Sequence, residues 1–202
     1  MTLNDIIKDC KSEEIHGNPG IEITDICNDS RKVTPGALFV AVKGHTGDGH
    51  RFIASALSKG AAAIIYEDQE ELESQVNNLR SNNNVTFVKV NDSRYAEAMA
   101  AAAFYGNPSN ELTLVGITGT NGKTTTVTLL YNLFRGLGYQ CGLLSTIANY
   151  VGDKCIETTN TTADPITINS LMKQMVNEGC AYCFMEVSSI GMEQERVTGL
   201  KF

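Results

Sequence analysis

Nine consecutive residues, Thr118-Gly119-Thr120-Asn121-Gly122-Lys123-Thr124-Thr125-Thr126, hold the densest chemistry in the sequence. Glycines at 119 and 122 let the backbone aim successive N–H groups at one point, where they can cradle a chain of phosphates. Lys123 adds a mobile charge able to reach the terminal phosphates, and the Thr124 hydroxyl can complete the coordination of a bridging Mg²⁺. The spacing departs from the common G-x-x-x-x-G-K-[ST] loop, because Ile117 stands five positions before Gly122. What remains is a shorter Gly119-x-x-Gly122-Lys123-Thr124 loop preceded by Gly116, which points away from generic kinases and GTPases. A second reactive group, Glu186, lies near the end of the strand expected over Ala181–Val187. Ligands of open α/β sheets gather beyond the carboxyl ends of strands, so a carboxylate there suits Mg²⁺. Cys180-Ala-Tyr-Cys183 has the spacing of half a zinc site, yet His16, His45 and His50 are remote and unpaired, so both cysteines read as buried core.

These groups need elements to hold them. Leu112–Ile117 is a short continuous apolar run, as expected of a central parallel strand covered on both faces. After the loop, Val127, Leu130, Leu133, Phe134 and Leu137 keep helical spacing until Gly138. The order is therefore strand, glycine loop, helix. Gln140–Ile147 reads as a strand, and a helix over Ile166–Glu178 is predicted with Asp164 as its cap, Pro165 in its first turn and one apolar stripe of Ile168, Leu171, Met172, Met175 and Val176. In the first half, Ile21–Ile26, Ala37–Val42, Ala61–Tyr66 and Val85–Val90 read as strands. Arg51–Lys59 reads as a helix closed by Gly60, residues 70–80 as a polar helix, 81–84 as a turn, and Ser93 as the cap of an alanine-rich helix running to Tyr105. Gly106-Asn107-Pro108-Ser109-Asn110 supplies linker residues, so a domain boundary is expected near 108. The fold class expected is α/β throughout, with a mainly parallel sheet in the second half.

Length and composition bound the rest. A chain of 202 residues, 42% hydrophobic and 19% charged, can build one or two real cores and is not disordered. Its 16 basic and 23 acidic side chains give a net charge of −7 and no basic cluster, which argues against duplex nucleic acid as a partner. No apolar run is long enough to span a bilayer, and the acidic start lacks a signal peptide's pattern, so a cytosolic location is expected.

The loop Gly119-Thr-Asn-Gly-Lys-Thr-Thr-Thr126 resembles the ATP loop of the Mur ligase superfamily, ATP-dependent enzymes that join amino acids to carboxylate-bearing acceptors. Four further blocks stand in that family's order: Asn28-Asp-Ser-Arg-Lys-Val-Thr-Pro-Gly36 leading into Leu38-Phe-Val-Ala41, Gly44-His-Thr-Gly-Asp-Gly-His50 with Phe52-Ile53, Asn160-Thr-Thr-Ala-Asp-Pro165, and Met185-Glu-Val-Ser-Ser189 continuing to Gln194-Glu-Arg-Val197. Together they cover nearly the whole chain and resemble the MurE branch, which extends UDP-MurNAc-L-Ala-D-Glu with a diamino acid, diaminopimelate or lysine.

The resemblance implies residues 1–108 as a domain for the uridine nucleotide, with Asn28, Ser30, His45, Thr46 and Gly47 on the uracil and pyrophosphate. Residues 109–202 would be part of the ATP domain, with Gly119, Thr120, Asn121, Gly122, Lys123, Thr124 and Thr125 on ATP. In that domain Thr124 and Glu186 would hold Mg²⁺, with Lys123 and Glu186 serving catalysis. Asn160, Thr161 and Thr162 would meet the sugar and peptide, and Ser188, Gln194 and Arg196 the peptide and its carboxylate. Two departures stand out. Ile190 occupies the place of a histidine that helps position a second Mg²⁺, and isoleucine cannot ligate metal. The family's carbamylated lysine, carboxy-terminal domain and amino-acid-selecting motif do not occur in these residues, so the sequence is expected to be a fragment unable to complete ligation alone. Another ligase of the superfamily, or a nucleotide-binding module without catalysis, stays open as an alternative.

Overall fold

A computed structural model describes residues 1–44, 47–67, 85–158 and 160–202. The helix expected over 70–80 and the turn expected over 81–84 lie outside the described residues. The chain divides into two compact units, Met1–Phe104 and Tyr105–Phe202.

The first unit carries α1 (Leu3–Ile7), β1 (Ser12–His16), β2 (Asp25–Cys27), β3 (Ala37–Val40), α2 (Ile53–Ser58), β4 (Ala63–Glu67), β5 (Thr86–Val90) and α3 (Ser93–Phe104). Its sheet has the order β1-β5-β4-β3-β2, with β1 antiparallel to β5 and the other pairs parallel. Every residue of β3 is buried, and β4 is buried from Ala63 to Tyr66, the continuous apolar pattern of parallel strands covered on both faces. The strand expected over 21–26 is confined to Asp25–Cys27, because the chain before it bonds to the first residues, through Leu3 N–H to Ile21 C=O and Ile23 N–H to Met1 C=O. The cap of α3 is also displaced. Asp92, not Ser93, accepts from the backbone N–H groups of Arg94 and Tyr95, at 2.9 and 3.0 Å. The Ser93 hydroxyl instead donates to Glu67 at 2.6 Å and accepts from the Lys43 N–H.

The second unit carries β6 (Thr113–Ile117), α4 (Lys123–Gly136), β7 (Cys141–Leu144), β8 (Asn149–Val151), β9 (Lys154–Ile156), α5 (Pro165–Asn177), β10 (Tyr182–Glu186) and α6 (Ser189–Glu193). The sheet order is β6-β10-β7-β8-β9, parallel across β6, β10 and β7 and antiparallel beyond. The central parallel strand is thus β10 rather than β6. β10 has a neighbour on each side and alternates its side chains, Phe184 toward the α4 face and Cys183 and Met185 toward the α5 face. β6 is an edge strand among the described residues, with Thr113 and Gly116 exposed, and its short apolar run resembled a central strand only because its alternate residues reach both cores.

On α4 the expected stripe is only partly inward. Val127 is fully buried, Leu130 and Phe134 are half-buried, and Leu133 and Leu137 lie in the open with Leu129 on the outer side. The α5 stripe is as expected, with Ile168, Leu171, Met172 and Met175 buried. Its cap is Asp164, whose carboxylate accepts from the N–H and the hydroxyl of Thr167 at 3.0 and 2.7 Å. The β8–β9 hairpin had no counterpart in the sequence reading, because three-residue strands are too short to show a period. Its turn is marked by Gly152 at a φ of +56°. Cys180 and Cys183 are buried free thiols in the α5 core, and burial pushes the Cys183 thiol up.

Candidate functional site

Three parallel strands of the second unit end side by side: β6 at Ile117, β10 at Glu186, and β7 at Leu144. The segment after β6 is the glycine loop. Gly119 takes a φ of +140° and Gly122 a φ of +82°, conformations that strain any side chain with a Cβ. Gly122 is the residue preceding α4, and no side chain caps that helix end, so the first-turn N–H groups keep their positive field for a ligand. Lys123 folds back and donates to the Gly119 carbonyl at 2.7 Å, spanning the loop it belongs to. Thr120 and Asn121 at the loop's tip are exposed, as is Thr125 on the first turn.

Glu186 lies behind the loop and is 1% exposed. Its carboxylate accepts from the Thr124 hydroxyl at 3.0 Å, the Thr146 N–H at 2.8 Å and the Thr146 hydroxyl at 3.2 Å. The structure thereby joins two expected site residues, Thr124 and Glu186, that are 62 positions apart. It adds one the sequence reading passed over, Thr146. The available signal was the change from the apolar Leu143-Leu144 to the polar Ser145-Thr146 at a strand's carboxyl end.

The donor set fits Mg²⁺. A hydroxyl and a carboxylate are hard oxygen ligands, and all three bonds to Glu186 come from neutral groups, leaving its charge for a cation.

The Asn160-Thr161-Thr162 segment serves partly as scaffold. The buried Thr162 hydroxyl donates to the Glu186 carbonyl at 3.1 Å and accepts from the Ser188 N–H at 3.0 Å, which fixes the chain leaving β10. Its side chain is thus turned inward, while Asn160 is exposed and Thr161 half-buried. Ser188 caps α6 by accepting from the Gly191 N–H at 3.0 Å. Arg196 donates to the Thr162 carbonyl and to the Gln194 side-chain oxygen, both at 2.6 Å, so Gln194 and Arg196 form one pre-set group at half exposure. Ile190 is 61% exposed on α6.

In the first unit, Asn28, Asp29, Ser30, Arg31 and Phe52 line a cavity of about 320 Å³. Asn28 donates its amide to Glu97 of α3 at 2.6 Å, and Asp29 accepts from the Arg31 N–H and guanidinium, which hold its carboxyl down at about 2. Of the second expected loop, Gly47 is exposed and its carbonyl accepts from the Gly44 N–H at 2.9 Å. His45 and Thr46 lie outside the described residues. The loop is followed by an anchor to which the sequence reading gave no role: His50, buried, accepts at Nε2 from the Glu67 N–H at 2.8 Å and faces Asp48 with Nδ1 at 2.5 Å.

Comparison with known proteins places these features in a lineage. Residues 22–105 match the model of the Mur ligase family, catalytic domain, and residues 117–202 that of the Mur ligase middle domain. The UDP-N-acetylmuramoyl-L-alanyl-D-glutamate--2,6-diaminopimelate ligases of Bacteroides fragilis and Cytophaga hutchinsonii are 50% and 48% identical over 202 residues. The match takes in all of this chain and 40% of each of those proteins. A solved structure of a ligase with that activity name superposes with a TM-score of 0.76 at 24% identity, over 98% of this chain and 38% of its own. The crystal structure of MurF ligase from Thermotoga maritima in complex with ADP gives 0.54 at 28% identity, over 82% of this chain and 32% of its own. No described helix is long and apolar enough to cross a membrane.

Proposed function

Because the chain belongs to the Mur ligase family, we propose that it forms the nucleotide-substrate and phosphate-binding parts of a ligase that uses ATP to join 2,6-diaminopimelate to UDP-MurNAc-L-Ala-D-Glu. The relatives' names favour diaminopimelate over lysine as the diamino acid. Residues 1–108 take the uridine nucleotide, with Asn28, Ser30, His45, Thr46 and Gly47 around it. Residues 109–202 take the triphosphate on the loop from Gly119 to Thr125, with Asn160, Thr161, Ser188, Gln194 and Arg196 toward the sugar and peptide. Thr162 acts through them as a positioning residue.

A carboxylate is a poor electrophile at neutral pH, so amide formation requires a better leaving group. The free D-glutamyl carboxylate attacks the γ-phosphorus of ATP; a new O–P bond forms, the bond to ADP breaks, and an acyl phosphate results. The amine of the diamino acid then displaces phosphate and loses a proton. Loop N–H groups and Lys123 hold the triphosphate and stabilise charge on the transferring phosphoryl group. Thr124 and Glu186 would hold Mg²⁺, which supplies charge neutralisation between the phosphates. Arg196, locked against Gln194 and Thr162, offers its guanidinium edge to a substrate carboxylate with little ordering cost.

The observation that carries this reading is the buried Glu186 carboxylate bonded to the Thr124 hydroxyl at the mouth of the glycine loop. Calorimetric titration of the 202-residue chain with UDP-MurNAc-L-Ala-D-Glu tests its first half; saturable binding, unaffected by ATP, is the expected result, and none would reject it. Exchanging these residues for the matching ones of the Bacteroides fragilis relative and following tripeptide formation by mass spectrometry tests the second.

A further inference from the structure

Phe52 leaves half of an aromatic ring, 52% by exposed area, in water. It is not on a loose segment. The 3-10 turn Gly49–Phe52 is held by its own buried His50, and it runs into α2, whose Ile53 and Ala56 are buried in the core. The ring is therefore presented, and it forms one wall of the cavity of about 320 Å³.

The other walls are polar. Ser30 is only 7% exposed, and its hydroxyl bonds to nothing among the described residues. Asp29 and Arg31 are fixed to each other by their paired side chains, which makes the turn around Ser30 rigid. A space of this size, with an aromatic face on one side and an unused hydroxyl on a rigid turn on the other, suits a flat ring with an apolar face and a hydrogen-bonding edge. Pyrimidine bases have that form.

We propose that Phe52 stacks on the uracil ring of the nucleotide substrate and is an affinity-determining residue of the first unit, an inference that rests on the uridine-nucleotide reading above. Stacking is the term that a phenyl ring can supply to any base, so Phe52 sets affinity while the polar edge around Ser30 selects the base.

The sequence has no tryptophan, which makes the test direct. In Phe52→Trp the introduced indole is the sole one, and UDP stacked on it would quench its fluorescence saturably, with a midpoint matching the calorimetric one. Phe52→Ala should weaken UDP binding roughly five- to hundredfold. Phe52→Tyr, which keeps the ring, should restore it. The thermal midpoint should be unchanged in all three, since the side chain is half in solvent. If UDP binds the unaltered chain and Phe52→Ala equally, or binds Phe52→Trp without quenching, the stacking role is overturned and the uridine reading stands. If neither UDP nor UDP-MurNAc-L-Ala-D-Glu binds the unaltered chain, the uridine reading falls and this inference falls with it.

Discussion

Glu186 can be changed in two ways that separate its structural work from its chemistry. Glu186→Gln keeps the shape and removes the charge. The Thr124 and Thr146 hydroxyls can turn to accept from the new amide while its carbonyl keeps the Thr146 N–H, so the bonds survive. Relief of a buried charge offsets what is lost, and stability should change by less than about 1 kcal/mol. Glu186→Ala removes three bonds to a charged acceptor, each worth about 1.5–3 kcal/mol, and leaves a void, while relief of the buried charge offsets much of that loss. Thr146 is exposed, so water can take over part of the loss, and a cost of about 1–3 kcal/mol remains. In a unit the size of Tyr105–Phe202 that lowers Tm by roughly 5–20 °C. Circular dichroism melts read the stability, and calorimetric titration with ADP, with Mg²⁺ and with chelator, reads the metal. The unaltered chain should bind ADP more tightly with Mg²⁺, and Glu186→Gln should bind it equally in both. A Glu186→Gln variant with undiminished Mg²⁺ dependence would refute the metal role, and a Glu186→Ala variant with an unchanged Tm would refute the energetic account.

Lys123→Ala should abolish ADP binding and leave UDP binding within twofold, with Tm unchanged, because its ammonium donates only to the exposed loop carbonyl of Gly119; paired titrations check it. Asp164→Ala removes both bonds to Thr167 and should cost about 1 kcal/mol, read as a drop in Tm, whereas Asp164→Asn or Asp164→Ser should recover most of it. Burial pushes the Cys10 thiol up to about 12 and the Cys27 thiol up to about 11 from an ordinary 9.0, with nearby aspartates adding to both. These thiols ionise in the unfolded chain first, so their contribution to stability is intact below pH 9 and is lost between about pH 9 and 12. Denaturant midpoints across that range should fall more steeply than in a Cys10→Ala, Cys27→Ala double variant. With iodoacetamide at pH 8, peptide mapping should find Cys155 labelled first, since among the six cysteines it alone is exposed.

The phosphate loop was legible in sequence because its function is local. Gly119, Gly122, Lys123 and Thr124 are neighbours in the chain, and left-handed glycine geometry together with a helix start is decided within a few residues. The Asp164 cap and the α5 stripe were readable for the same reason, since a cap and a 3.6-residue period need no distant partner. What sequence could not supply were relations between segments. The order of strands in a sheet depends on which faces are covered, so β6 looked central and β10 proved to be so. Leu133 and Leu137 obeyed helical spacing, yet they lie in the open, outside the core that Val127, Leu130 and Phe134 join. Ser93 looked like a cap until Glu67 and Lys43, 26 and 50 residues away, engaged its hydroxyl and Asp92 capped instead. Thr146 carried no motif of its own, and Phe52 stood in a family block without a role attached to it. Thr146 entered the site only because β7 ends beside β10, and Phe52 because a buried histidine and two buried residues of α2 fix the turn that presents it. Local backbone chemistry was written in the order of residues, while the assignment of side chains to a common site waited on tertiary packing, which brings together groups that the chain keeps far apart.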